Sequence, residues 1–266
     1  LLRDFSVFKF LKKNKFDMVC CFGSTSAISS WLSNTPYLAF DDDFEYKLPF
    51  FHANIFCTHH IYPDFINFNN NKTIKYSGFK ELAYLHPNYL KISNNILKHY
   101  NLKADNYVFI REIDNISLNY NKSVSILSKL INKLTSLNYK VVLSIENKNL
   151  ILNYPKNCII LEEPVGDIYS LLYNSSFAIS SGDTVARECA LLGVPLIYTG
   201  GRTMAVNKLL VKNSFIIESQ SFEFISQYID EFKIENKINL RKKINAYIAN
   251  NCSDTTSIIL ENIQSI

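Results

Sequence analysis

The chain has 266 residues, 47% hydrophobic and 20% charged, which is enough apolar side chain for one large or two ordinary packed domains and excludes a disordered chain. Its net charge is only +4, and its densest basic spots are Lys12-Lys13 and Arg241-Lys242-Lys243, short runs of the kind found on solvated helix faces, so no nucleic-acid partner is expected. Six cysteines without a Cys-x-x-Cys pair argue against a disulfide framework or a zinc site, and no apolar run reaches the ~18 residues of a membrane span.

The chain begins at Leu1 and passes directly into a helical segment, Phe5–Lys13, so the first domain is expected to be shortened at its N-terminal end. Strands are then predicted at Asp17–Phe22, Pro36–Phe40, Asn54–Thr58 and Thr73–Ser77. After the polar stretch Lys91–Asp105, with its short helical segment Asn94–Tyr100, a second series follows. It comprises Tyr107–Arg111, Lys140–Ile145, Cys158–Leu161, Phe177–Ser181, Pro195–Tyr198 and Phe215–Glu218. Each is a short, continuous apolar run, as in strands buried on both faces of a parallel sheet. Between them, Lys122–Leu137 spaces Leu127, Leu130, Ile131 and Leu134 along one helix face, and Thr184–Leu192 stops at Gly193 with Pro195 beyond. Strands alternating with helices predict an α/β protein with two Rossmann-like, doubly wound parallel-sheet domains, residues 1–97 and 98–266. The last helices, Leu240–Asn250 and Thr255–Ile263, are candidates to pack back across that boundary.

The segment Phe177–Tyr198 reads as strand, small-residue turn, helix, glycine stop and strand. Ser180, Ser181 and Gly182 allow a ligand close to the backbone. The free N–H groups of Asp183, Thr184 and Val185, at the positive end of the helix dipole, form an anion site to which Ser181 and Thr184 add hydroxyls. Glu188 follows one turn later, where a carboxylate can accept two ribose hydroxyls. The plainer alternative is that Asp183 caps a helix and Glu188 faces solvent. Arg111, ending the first strand of the second domain, is placed either to pair with a diphosphate or to make a surface ion pair with Glu112 or Asp114. Ser144 and Glu146 end the next strand and are candidates to line the nucleotide, and Gly200-Gly201-Arg202 ends a later one, where a sugar would lie. In the first domain, Asp41-Asp42-Asp43-Phe44-Glu45 places carboxylates at the carboxyl end of a parallel strand, where crowding favours a general base unless the cluster is only a solvated turn. His59-His60 has poor spacing for a metal, and no metal site is expected.

The Phe177–Tyr198 segment resembles the Ser-Gly and Glu-Ala-x-x-x-Gly-x-Pro block of GT-B nucleotide-sugar enzymes, among them the UDP-N-acetylglucosamine 2-epimerases and many glycosyltransferases. The run Tyr76-Ser-Gly-Phe-Lys-Glu-Leu-Ala-Tyr-Leu-His-Pro87 is similar to the signature of the domain of unknown function 354 family, and Phe16–Ser24 extends the similarity toward the start of the chain. The resemblance implies a GT-B fold that binds a UDP-sugar in the cleft between domains. Relatives tend to show Asp-Thr-Glu-His after the second strand; here Asp42 matches, the glutamate is displaced by one position to Glu45, and the histidine is absent. The GT-B arrangement also puts the end of Thr73–Ser77, and with it Glu81, toward the cleft.

The expectation is therefore transfer of a sugar from a nucleotide sugar to a glycan or lipid-linked acceptor. Arg111, Ser144, Glu146, Ser180, Ser181, Gly182, Asp183, Thr184 and Glu188 would bind the nucleotide, and Asp42, Glu45 and Glu81 would supply the acid/base chemistry. No cofactor or metal is needed, since the helix dipole and Arg111 take up the leaving-group charge. The alternatives are a UDP-sugar 2-epimerase and a non-catalytic sugar-nucleotide-binding or assembly protein. The expected location is the cytoplasm, with peripheral contact at the inner face of the membrane near Lys12-Lys13 as a further expectation.

Overall fold

The structure, a computed structural model, describes residues 2–114, 126–162 and 164–264. Contacts divide the chain into two compact units, Leu1–Ala83 with Met204–Val206 and Asn251–Ile266, and Tyr84–Thr203 with Asn207–Asn250. In chain order the elements are α1 (Leu2–Lys13), β1 (Val19–Phe22), α2 (Ala27–Ser33), β2 (Tyr37–Phe40), α3 (Lys47–Phe56), β3 (His59–Pro63), β4 (Thr73–Tyr76) and the one-turn α4 (Leu82–Leu85). They continue with α5 (Asn95–His99), β5 (Tyr107–Glu112), α6 (Leu127–Ser136), β6 (Lys140–Ile145), a 3-10 turn at Lys148–Asn153, β7 (Ile159–Ile160), α7 (Ile168–Asn174) and β8 (Phe177–Ser180). The last are α8 (Asp183–Leu191), β9 (Leu196–Tyr198), α9 (Ala205–Lys212), β10 (Ile217–Glu218), α10 (Phe222–Glu231), α11 (Ile234–Asn251) and α12 (Thr255–Gln264).

The first unit holds a parallel sheet in the order β1-β2-β3-β4. Here one expectation fails. Asn54–Thr58 is not a strand: its apolar run closes α3, and the strand begins at His59. Pro49 explains the helix, because in the first turn its missing N–H costs no hydrogen bond. The short α2 also escapes a reading by period; Asn34, left-handed at φ 57°, closes it. Helix α12 is bound into this unit through Thr255 Oγ1, which donates to the Phe79 carbonyl at 2.9 Å, and Thr256 Oγ1, which donates to that of Ala83 at 2.6 Å.

The second unit holds a parallel sheet in the order β10-β9-β8-β5-β6-β7. Renumbered within the unit, that is 3-2-1-4-5-6, the doubly wound Rossmann order, whose switch point lies between β5 and β8. Residues two apart along a strand share a face. Val108 and Ile110 pack with Val141, Leu143, Phe177 and Ile179 beneath Leu130, Ile131 and Leu134 of α6 and Ile225 and Ile229 of α10. The alternate residues Tyr107, Phe109, Val142 and Ala178 are equally buried, so both faces of the sheet are covered. The α6 stripe is as expected from Leu127 onward; the start placed at Lys122 lies outside the described residues. Gly193 ends the α8 turn at φ +65°, and a Cβ there would sit 2.7 Å from Cα of Arg241.

The cysteines are free thiols among the described residues: Cys57 and Cys189 are buried, whereas Cys20 is exposed. Burial pushes the Cys57 thiol up to about 11 and that of Cys252 to about 12. Burial also raises the Cys20 thiol, but Cys20 is exposed whereas Cys57 and Cys189 are buried, and a thiol must be reached by the reagent to react, so iodoacetamide is expected to label Cys20 faster than Cys57 and Cys189 in the folded protein. Mass spectrometry of tryptic peptides checks this. Cys189 labelled as fast as Cys20 would contradict the packing of α8.

Candidate nucleotide site

In a doubly wound sheet, ligands gather at the carboxyl ends of the strands beside the switch point. Four strand ends supply the candidate residues here. Arg111 near the end of β5 is in register with Ser144 of β6 on one side and Ser180 of β8 on the other, so all three lie at one level of the sheet. Ser180 is in turn in register with Tyr198 of β9.

Arg111 is held by its neighbours. Its guanidinium donates to Ser144 Oγ at 2.6 Å and to Glu146 Oε1 at 2.6 Å, while Oε2 of Glu146 accepts from the Asp114 amide at 2.9 Å. Arg111 forms its ion pair with Glu146, at the adjacent strand end, where Glu112 or Asp114 was the expected partner. The turn after β8 is tied just as closely. Ser180 Oγ accepts from the Gly182 amide at 3.1 Å and donates to the Gly182 carbonyl at 2.8 Å. Ser181 gives its amide to the Arg111 carbonyl at 3.0 Å, and its Oγ accepts from the Ile113 amide at 3.0 Å. The two serine hydroxyls therefore shape the turn. Gly182 is needed for this geometry, because a Cβ would approach Cγ2 of Ile113 to 2.9 Å.

Gly182 is the N-cap of α8, so no side chain caps this helix start, and the first helical bond runs from the Ala186 amide to the Gly182 carbonyl. By helix geometry the N–H groups of Asp183, Thr184 and Val185 lack intrahelical acceptors. Thr184 is exposed beside them.

Asp183 is more than a cap. Its carboxylate is 6% exposed, accepts from the Tyr198 hydroxyl and from Asn207 Nδ2 at 3.2 Å, and pairs with Arg202 at 3.3 Å. Asn207 Oδ1 accepts in turn from Nε of Arg187, a guanidinium only 2% exposed. This network of Tyr198, Arg202, Asn207 and Arg187 was not anticipated, except that Arg202 was expected near a sugar. The one available signal was the position of Tyr198 and Arg202 at the carboxyl end of β9. Gly200 lets that loop fold over its own strand: a Cβ there would fall 2.3 Å from the Tyr198 ring. Glu188 does not face solvent. It is 7% exposed, and its Oε1 accepts from the Tyr84 hydroxyl at 2.9 Å. A recess of about 490 Å³ lined by Lys148, Ile151, Ile160, Leu161 and Glu162 opens beyond the ends of β6 and β7.

The carboxylates expected to act as acids or bases lie in the first unit, in three different settings. Asp42, 2% exposed, pairs with Lys80 at 3.0 Å, and its backbone amide is held by Asp41 Oδ1 at 2.9 Å. Glu81 is fully buried. Burial first, then the charges of Asp42, Glu81, Asp64 and Asp41, push the Tyr76 hydroxyl well above its ordinary value. Glu45 is exposed and accepts from the Ala205 amide at 2.9 Å. His60 is buried against Phe50 and Tyr62, with Nε2 3.9 Å from Asp41. Among the described residues, no three His, Cys, Asp or Glu side chains converge as a metal site, and no helix is long and apolar enough to cross a membrane.

Comparison with known proteins agrees with this architecture. UDP-GlcNAc 2-epimerase from Neisseria meningitidis, solved with UDP-GlcNAc bound, superposes with a TM-score of 0.70 at 14% identity over 98% of this chain and 80% of its own. The UDP-GlcNAc 2-epimerase of Methanocaldococcus jannaschii, in complex with UDP-GlcNAc and UDP, gives 0.65 at 16% identity over 92% and 78%. MurG of Acinetobacter baumannii gives 0.60 at 14% identity over 99% and 79%. These likenesses establish the GT-B fold. In sequence, an uncharacterized protein of M. jannaschii is 27% identical over 169 residues, 62% of this chain, and the chain spans half of that relative's length. Residues 54–265 match the family described as "Protein of unknown function (DUF354)", a match covering most of the chain, and the chain therefore belongs to that family.

Proposed function

We propose that this protein binds a UDP-sugar at the carboxyl edge of the second unit's sheet and transfers the sugar to an acceptor hydroxyl. The observation that carries the reading is the uncapped start of α8 at the switch point, with Glu188 one turn further along the helix. Amides 183–185 would take the diphosphate, and the helix dipole would stabilise the charge that develops on it as the sugar leaves. Arg111 would shift its guanidinium from Glu146 to phosphate, a bidentate acceptor of the same kind. Glu188 would take the ribose hydroxyls, and the recess beyond β6 and β7 would receive the base. The acid/base role falls to the set Asp42, Glu45 and Glu81, the acceptor being a glycan or lipid-linked hydroxyl, with no metal or cofactor in the scheme.

Hydrogen exchange tests the site. Saturating UDP is expected to slow exchange of the Ser181–Val185 amides, and unchanged exchange with UDP, UMP and other nucleoside diphosphates would remove the reading. Epimerisation would use the same nucleotide site. Incubation with UDP-sugars separates the two reactions, because transfer requires an acceptor and epimerisation does not.

A further inference from the structure

The conformation of Glu188 is set by residues far away in the chain. Tyr84 stands 104 residues earlier, in the one-turn helix α4, and its hydroxyl donates to Glu188 Oε1 at 2.9 Å. The Tyr84 ring stacks on Tyr169 of α7, with centroids 5.3 Å apart and planes 27° apart. Tyr169 senses the same carboxylate. Its hydroxyl is pushed up first by burial and then by the charge of Glu188, while a hydrogen bond from Tyr84 acts in the opposite sense. Glu188, Tyr84 and Tyr169 are thus one connected cluster of residues of the second unit.

We infer that Tyr84 is a positioning residue that confers ribose specificity through Glu188. The inference rests on the nucleotide reading above. A glutamate side chain has three rotatable bonds and loses rotamer freedom when a ligand immobilises it. Tyr84 removes that freedom beforehand, and the stack on Tyr169 keeps the donating hydroxyl in place. Preorganisation of this kind strengthens only the contact that uses the preorganised group. Its signature is therefore differential: it changes affinity for ligands with ribose hydroxyls and leaves ligands without them alone.

The experiment is a calorimetric titration of the full chain with UDP and with 2′,3′-dideoxy-UDP. It compares wild type, Tyr84→Phe, Tyr169→Phe, Glu188→Gln and the Tyr84→Phe/Glu188→Gln double variant. Phenylalanine retains the ring on Tyr169, and a thermal melt confirms that each variant is folded. Tyr84→Phe is expected to bind UDP about threefold more weakly and dideoxy-UDP unchanged, so that its preference for the ribose form shrinks. In the Glu188→Gln background the same substitution is expected to have no further effect, the coupling expected of residues acting through one contact. An unaltered preference in Tyr84→Phe, or an equal loss for both ligands, would overturn the positioning role while leaving the nucleotide site intact. A wild type that binds both ligands alike would instead overturn the ribose role of Glu188, and one that binds neither would overturn the nucleotide reading itself.

Discussion

Replacing Asp183 with alanine is expected to lower the unfolding free energy by about 3–5 kcal/mol, the usual cost of removing one member of a buried ion pair. The carboxylate is 6% exposed and serves three donors, the Tyr198 hydroxyl, Asn207 Nδ2 and the Arg202 guanidinium. Alanine would leave those donors facing a small cavity that returns none of their hydrogen bonds. It would also remove a negative charge from the first turn of α8, worth about 0.3–1 kcal/mol at an exposed site. Asparagine is the control, since it retains an oxygen for Tyr198 and loses the charge facing Arg202. Its cost should be nearer the ~1–3 kcal/mol of an imperfectly satisfied buried group. Urea denaturation at constant m-value measures both. A loss below about 1 kcal/mol in the alanine variant would mean that the network is a peripheral feature of the unit.

Glu188→Gln should weaken UDP binding by roughly tenfold, or ~1.4 kcal/mol. Hydrogen bonds to a charged acceptor contribute about 1.5–3 kcal/mol each, and the amide keeps the shape while surrendering the charge and one acceptor. At ~1.5 Å rise per residue, Glu188 is about one turn from the phosphate amides, which is the span from a diphosphate to the ribose edge. Because Glu188 is buried and bonded to Tyr84, the substitution also bears on stability. Glutamine still offers Tyr84 an oxygen, so the unfolding free energy should move by less than ~1 kcal/mol. Isothermal titration and thermal melts read the two effects separately. If wild type and variant discriminate equally between UDP and its 2′,3′-dideoxy form, Glu188 does not read the ribose.

The fold was legible where burial imposes a simple pattern. Strands covered on both faces read as unbroken runs such as Tyr107–Ile110 and Lys140–Ile145, and α6 carries one clear stripe. The helix stop at Gly193 was legible because only glycine suits φ +65° against the Arg241 backbone. Asn54–Thr58 was misread because Ile55-Phe56-Cys57 is apolar at any period, and its helical state depends on what precedes it. The turn and helix that frame the candidate site were visible for the same local reason. The side chains that complete them were not. Tyr198, Arg202 and Asn207 reach Asp183 from a strand, a loop and a helix, and Tyr84 reaches Glu188 across 104 residues, so no local spacing records either meeting.

The position of β5 at the switch point also bears on how the chain acquires its structure during synthesis. This strand is paired on one side with β6, from Lys140, and on the other with β8, from Phe177. At ~5–20 residues per second, translation from Tyr107 to Phe177 occupies several seconds. Throughout that interval one edge of β5 has no partner, although its side chains Val108, Phe109 and Ile110 belong to the finished core. An open, apolar strand edge is a template for pairing with other chains. The nascent protein is therefore most vulnerable to aggregation before residue 180 emerges from the ribosome, and a stop codon placed shortly before Phe177 should yield insoluble product.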